Sequence, residues 1–265
     1  MRLISLNTWG GRLFDFFAKY ITTEAESTDV FCFQEVFQTN SDIHTDRQDP
    51  TDGFVFRVNL FSEITKLLPN FQGYFASAQD GFLYNKPVNY DLSYGLATFV
   101  KRNIFVGSHR DIFIFGEKNS QLESDKVGIT TPRNLQYVNL KTPKENELTI
   151  GNLHGLWKPG PKTDSEATLG QSKRVKTFLD KTPNPKILCG DFNLLPETKS
   201  LRILEENMVD LVKKFDIHST RSVSFKYETR YADYMLVSPD VVVERFNAPH
   251  INVSDHLPLV LEFSA

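Results

Sequence analysis

The sequence predicts an α/β (α+β) protein built as a four-layer α/β sandwich, two packed mixed β-sheets flanked by helices. Three observations predict it. Strand-like and helix-like segments alternate from one end of the chain to the other. The run Val30-Phe31-Cys32-Phe33-Gln34 is apolar at successive positions, the mark of a strand covered on both faces. Short polar turns that suit hairpins alternate with helical crossovers, so parallel and antiparallel pairing should coexist.

Taken in order, residues 3–6 read as a strand and 13–26 as a helix, with Leu13, Phe16, Phe17, Tyr20 and Ile21 at helical spacing. After the strand at 30–34, residues 55–68 read as a helix that stops before Pro69, and 71–78 as a strand. Strands come next at 95–101 and 111–115, and the polar stretch 116–131 reads as a loop. Residues 135–140 and 147–153 pair naturally about the polar turn at 143–146. Helices are predicted at 166–179 and 197–207, the latter beside Pro196, with a short buried strand at 186–189. Strands at 231–237, 241–246 and 257–263 close the chain.

The 265 residues contain no repeat and no long Pro/Gly/Ser linker, which predicts one domain over 1–265. The longest apolar stretches are short of the ~20 residues of a membrane span. Only Leu3-Ile4-Ser5-Leu6 separates Arg2 from Asn7, too little for a signal-peptide core, so a cytoplasmic location is expected; a monomer is expected separately. Cys32 and Cys189 lie in apolar runs and read as buried thiols. A net charge of −3 argues against tight, non-specific duplex binding. Lys158, Lys162, Lys173 and Arg174 could form a local basic rim, although a solvated loop and helix face is the plainer account.

The informative pattern lies at the ends of the apolar strands. Residues 3–6 run into Asn7, 30–34 into Glu35, 149–151 into Asn152 and His154, and 187–190 into Asp191 and Asn193. Loops at strand ends gather ligands beside the core yet open to solvent, and four such ends suggest a shared site. Asp191 and Asn193 would point the same way in extended geometry, while an Asx-rich turn is the bland alternative. Asp233, in an apolar strand, either faces solvent or is buried against a histidine whose tautomer it fixes. The pair Asp255-His256 is weak alone, and His44, His109, His218 and His250 read as surface or structural.

Together these segments resemble the endonuclease/exonuclease/phosphatase superfamily, with its deoxyribonuclease I-like fold. The matches are Ser5-Leu6-Asn7-Thr8-Trp9-Gly10, Phe33-Gln34-Glu35-Val36, Asn152-Leu153-His154, Cys189-Gly190-Asp191-Phe192-Asn193, Tyr231-Ala232-Asp233-Tyr234 and Ser254-Asp255-His256, in the family's order. The resemblance implies a phosphoesterase in which Asn7, Glu35 and Asp255 hold Mg²⁺, or Mn²⁺ as a substitute. By the same resemblance Asp191 orients or deprotonates water, Asn193 fixes its direction, and His256, supported by Asp233, contacts phosphoryl oxygens. His154 falls where relatives place a His or Tyr that assists the leaving group or stabilises the transition state.

The segment Asn7-Thr8-Trp9-Gly10 is closer to sphingomyelinase-like and tyrosyl-DNA-phosphodiesterase-like members than to exonuclease III, which leaves the substrate open. Nucleic acid stands slightly ahead, with Trp9, Trp157 and Tyr94 as stacking candidates that core or rim packing explains equally well. A lipid headgroup or small phosphorylated metabolite is the alternative that the acidic balance favours. A non-catalytic module is disfavoured because every motif residue is present. The loops at 39–54, 82–93, 116–131 and 157–166 carry no diagnostic motif. Arg47, Lys86, Lys126 and Lys162 are candidate phosphate contacts there, with a solvated surface the plainer account of each.

Overall fold

A computed structural model describes residues 1–40, 46–48, 55–83, 86–120, 131–157 and 160–265. The chain enters through β1 (Arg2–Asn7), helix α1 (Phe14–Glu24) and β2 (Val30–Gln38). Helix α2 (Leu60–Leu67), β3 (Phe71–Asp80) and β4 (Ser93–Lys101) complete this half. The second half runs β5 (Val106–Phe115), β6 (Arg133–Lys141), β7 (Glu147–His154), α3 (Glu166–Lys181) and β8 (Lys186–Asp191). It continues through α4 (Lys199–Glu205), β9 (Val209–Asp210), α5 (Leu211–Lys214) and β10 (Asp233–Val237). Strands β11 (Val242–Asn247) and β12 (Leu259–Ser264) then return to the first half.

Two six-stranded sheets result, ordered β11-β12-β1-β2-β4-β3 and β9-β10-β8-β7-β6-β5. Each is antiparallel except for one central parallel pair, β1 with β2 and β7 with β8. The two parallel pairs pack face to face, so their carboxyl ends meet. The four-layer sandwich predicted from the sequence is the architecture found.

Period-two alternation explains why these strands are apolar throughout. Along β1 and β2, Leu3, Val30 and Cys32 enter the core between the sheets, whereas Ile4, Leu6, Phe31 and Phe33 turn toward α1 and α2. Phe33 stacks on Phe31 and meets Phe17 of α1 edge-on, both at 5.5 Å between ring centroids. Full burial of each such ring contributes roughly 1.5–3 kcal/mol. Cys32 and Cys189 meet across the inter-sheet core as free thiols, and burial pushes the Cys32 thiol up.

A polar seam crosses the same interface. Gln34 Nε2 donates to Asn152 Oδ1 at 2.7 Å, and Asn152 Nδ2 donates to the carbonyls of Phe33 and Ala97 at 3.1 and 3.2 Å. Thr98 and Gln136 extend it with a 2.8 Å bond. Because each bond needs its own partner opposite, the seam fixes the register of one sheet on the other.

Three predicted segments are corrected. Residues 55–68 are not one helix: Val55–Phe56 pairs as a strand with Arg47–Gln48, and only Leu60–Leu67 is helical. The alternation of exposed Val55, buried Phe56, half-buried Arg57 and buried Val58 is a strand period. Strand β2 runs on past Gln34, and the helix predicted at 197–207 shortens to Lys199–Glu205, its first turn capped by Thr198. A second small ribbon pairs Phe82–Leu83 with Lys86–Pro87. The loops at 39–54, 82–93, 116–131 and 157–166 fall partly at residues 41–45, 49–54, 84–85, 121–130 and 158–159, which lie outside the described residues together with His44, Lys126 and Lys158. Among the described residues no helix is long and apolar enough to cross a membrane.

Candidate active site

The last register pairs of the two parallel ladders are Asn7 with Gln34 and His154 with Asp191. Face-to-face packing therefore delivers Asn7, Glu35, His154 and Asp191 to one place. Asn7 closes the join: its Nδ2 lies 3.0 Å from Asp191 Oδ2 and 3.2 Å from Glu35 Oε1, while its Oδ1 accepts from the Trp9 amide at 2.9 Å. His154 Nε2 stands 3.8 Å from both Glu35 Oε1 and Asp191 Oδ2.

Backbone irregularities aim these side chains. The β2–β4 register shifts between Phe33 and Val36, and Glu35 within that bulge has φ 57°. A bulge re-aims one side chain without ending the strand, so Glu35 leaves the ladder and turns to the site. Trp9 and Asn193 share the left-handed conformation, at φ 52° and 54°. Non-glycine residues held there cost of order 1–3 kcal/mol each and cluster at working sites. Gly190 has φ +135°, and a Cβ there would lie 2.0 Å from the Leu153 carbonyl oxygen. Only glycine lets β8 approach β7 this closely just before Asp191.

Asp191 and Asn193 do not share a direction through extended geometry as the sequence suggested. Asp191 ends β8, and its Oδ1 accepts from the Asn193 amide at 2.9 Å, an Asx turn that is also part of the site. The Asn193 side chain donates to the Gly155 carbonyl at 3.3 Å and accepts from the ammonium of Lys162.

The second cluster forms where the last loop crosses β10. Asp233 is the first residue of β10, 3% exposed, and both its oxygens lie within 2.9 Å of His256 Nδ1. Of the two readings left open for Asp233, the structure selects burial against a histidine. His256 Nε2 points to Asp191 Oδ2 and Asp255 Oδ1, each 3.7 Å away. Arg221 pairs with His256 through a backbone bridge, and its Nη1 contacts His256 Nε2 and lies 3.3 Å from Asp255 Oδ2.

All eight residues singled out from the sequence thus lie in one connected set of contacts. Four further residues join them. Lys162 is buried on Asn193, not solvated; Arg221 bridges Asp255 and His256; the Tyr94 hydroxyl lies 3.4 Å from His154 Nδ1; and Arg133, also buried, neighbours Tyr94 and His154. Nothing in the sequence around Lys162 or Arg221 marks either as buried, because each sits in an irregular segment whose path is set by tertiary contacts. His109, His218 and His250 are exposed, as are Lys173 and Arg174 of α3 and Trp157. Arg47 is exposed with its guanidinium over Tyr90.

The electrostatics separate the two histidines. Burial, then the charge of Arg133, holds His154 well below the usual imidazole range, so it is neutral. Burial and Arg221 also push His256 down, but Asp233, Asp255 and Asp191 outweigh them and the net shift is upward. Burial pushes Asp191 up, yet Lys162, His256, His154 and Arg221 together hold it well below the ordinary carboxylate value. One neutral imidazole, one favoured imidazolium and one fixed carboxylate is a division of acid–base labour.

A family model described as the endonuclease/exonuclease/phosphatase family matches residues 4–256. The chain belongs to that family. The solved structures agree in fold. An endonuclease/exonuclease/phosphatase family protein from Leptotrichia buccalis is 16% identical, with 100% of each chain covered and a TM-score of 0.72. A mannosyl-6-phosphatase from Bacteroides thetaiotaomicron is 15% identical over 100% of both chains, at 0.69. The human Nocturnin catalytic domain, with bound sulfate, is 18% identical over 100% of this chain and 93% of that one, at 0.61. No curated protein sequence matches the chain. As a member of this family the chain is a phosphoesterase, a hydrolase of phosphate esters.

Proposed function

We propose that the chain hydrolyses phosphate esters by in-line attack of water, with Mg²⁺ as the bound cation and Mn²⁺ as a substitute. One observation carries this reading. Asp191 stands at a single focus, with Asn7 Nδ2 at 3.0 Å, His256 Nε2 at 3.7 Å and His154 Nε2 at 3.8 Å from Oδ2, and the Asn193 amide 2.9 Å from Oδ1.

The donor set fits a hard divalent cation. Glu35, His154 and Asp191 each offer a ligand atom within 4.8 Å of the others, and the family resemblance adds Asn7 and Asp255 to Glu35 as hard oxygen donors, Asn7 by turning the amide that now presents its Nδ2 to Glu35. These three would hold the ion, which when bound neutralises phosphoryl charge and acidifies water. The remaining work falls to the chain's own groups. Asp191, kept ionised by its surrounding cations, orients the attacking water and takes its proton, with the Asn193 amide holding its other oxygen in place. His256, steadied by Asp233, donates to a phosphoryl oxygen. Neutral His154 donates a hydrogen bond on the leaving-group side. Each positioned acid–base group is worth ~10²–10⁴ in rate.

For the substrate, the family resemblance puts nucleic acid forward, and Trp157, half exposed, is available to stack on a base. A specific observation favours the small-ester reading instead. Beside the site, where Ser93 precedes Tyr94, a cavity of about 480 Å³ lies between the edge strands β3 and β5; none of the eight site residues lines it, and its charged lining is Asp80, Asp91, Asp111 and Lys118. Excess carboxylates repel a second phosphate and accept hydrogen bonds from hydroxyls. The fold likeness to a mannosyl-6-phosphatase is in keeping with this. Two free buried thiols support a reducing compartment such as the cytoplasm.

A substrate panel with Mg²⁺, with and without EDTA, tests the reading: DNA, RNA, phosphoinositide, sphingomyelin and sugar phosphates. Metal-dependent release of phosphate or alcohol from one class is expected. No hydrolysis of any of them, with no metal affinity, would end the proposal.

A further inference from the structure

Among the described residues Arg133 is a buried cation without a counter-charge. It is 7% exposed, its Nε and Nη1 have no hydrogen-bond partner, and among the described residues it forms no ion pair. Lys162 is buried too and the Arg221 side chain is 7% exposed, but each touches a polar partner of the site, Asn193 and Asp255 respectively. A guanidinium withdrawn from water with free N–H groups is costly unless something anionic meets it.

The backbone places Arg133 there by the same device that aims Glu35. The β5–β6 register shifts between Arg133 and Asn134, so the two residues depart from simple alternation. Asn134 turns to the edge cavity, donating to Asp111 Oδ2 at 3.2 Å. Arg133 turns to Tyr94, whose hydroxyl lies 3.4 Å from His154 Nδ1, and so stands next to the His154 side of the site.

From this geometry we infer that Arg133 binds a non-bridging oxygen of the substrate's phosphoryl group and makes the site selective for phosphomonoester dianions over phosphodiesters. A monoester presents three terminal oxygens and close to two charges, a diester two oxygens and one charge. In this reading Lys162, held on Asn193, and His256 serve two oxygens of a bound phosphoryl group. The third, which only a monoester has, meets Arg133. Arg221 Nε, also buried and without a partner, adds a donor to the same cradle. The inference rests on the phosphoesterase reading above and narrows its substrate.

The test compares Arg133→Gln and Arg133→Lys with the unaltered protein. Turnover of p-nitrophenyl phosphate and bis(p-nitrophenyl) phosphate is measured with Mg²⁺, and inorganic phosphate binding by calorimetry, which needs no turnover. The unaltered protein is expected to prefer the monoester. Arg133→Gln should weaken phosphate binding at least about tenfold and lower monoester kcat/KM at least tenfold more than diester kcat/KM, with partial rescue by Lys. Circular dichroism checks the fold of each variant. Equal losses on both esters, unchanged phosphate affinity in the folded variant, or a diester preference in the unaltered protein would overturn the inference. If neither ester is cleaved, the substrate panel above decides the phosphoesterase reading, and the calorimetry still decides whether Arg133 holds phosphate.

Discussion

Asp233 and His256 meet at 2.7 Å between Oδ2 and Nδ1, both within a few per cent of complete burial, although 22 residues separate them along the chain. The carboxylate fixes which imidazole nitrogen faces Asp191 and favours the charged ring. Asp233→Asn keeps the shape and removes both effects. Its kcat is expected to fall by ~10² or more, with the His256 titration, followed by NMR, moving to lower pH. An unchanged kcat would mean that His256 does not depend on this pair.

Asp191 is the counter-ion of several buried groups as well as the candidate base. Asp191→Asn is expected to be nearly inactive yet folded. Its folded-state pKa is depressed, so the stability Asp191 contributes is present above the ordinary carboxylate value of 3.8 and is lost as pH falls below it. Thermal melts should therefore show the variant less stable than the unaltered protein at pH 7, with the gap closing under acid.

Gly190 tests the backbone argument. Gly190→Ala places a Cβ 2.0 Å from the Leu153 carbonyl oxygen at a φ of +135° that alanine avoids. A loss of about 3 kcal/mol or more is expected, the upper part of the range for single substitutions, together with loss of activity as β7 and β8 separate. Denaturant titration measures it.

Asp210 offers a pH test on a residue that makes no hydrogen bond to the site. It caps α5 by accepting from the amides of Val212 and Lys213. Burial, opposed by those bonds and reinforced by Glu205, pushes its carboxyl from 3.8 up to about 6. Between those values the folded state holds a proton that the unfolded chain has released, so stability declines as pH rises through that window. Asp210→Asn keeps the cap and should flatten that decline without lowering Tm at pH 7, whereas Asp210→Ala should cost about 1 kcal/mol.

Much of this site was legible because its residues directly follow apolar runs, at the ends of β1, β7 and β8 and at the bulge of β2. A run such as 187–189 is apolar since both faces are covered, and the first polar residues after it mark where the sheet emerges. That logic located Asn7, Glu35, His154 and Asp191 without coordinates. It could not distinguish Lys162 from a solvated lysine or find Arg221, since both positions depend on loops closing back over the strand ends. Nor could it find Arg133, whose direction comes from a bulge that leaves no trace in hydrophobic periodicity. Residues 55–58 failed for a different reason. Four residues fit a helical or a strand period equally well, and pairing with Arg47–Gln48 decided between them.

The polar seam through Gln34 and Asn152 has a kinetic corollary. Neither sheet owns a complete reaction centre, since Asn7 and Glu35 arrive on one and His154 and Asp191 on the other. Catalytic competence is then a reporter of docking: during refolding it should emerge last, after helical signal has recovered, and under mild denaturant it should vanish first. A sheet-to-sheet slip of a single residue would silence the enzyme while leaving its spectrum almost untouched.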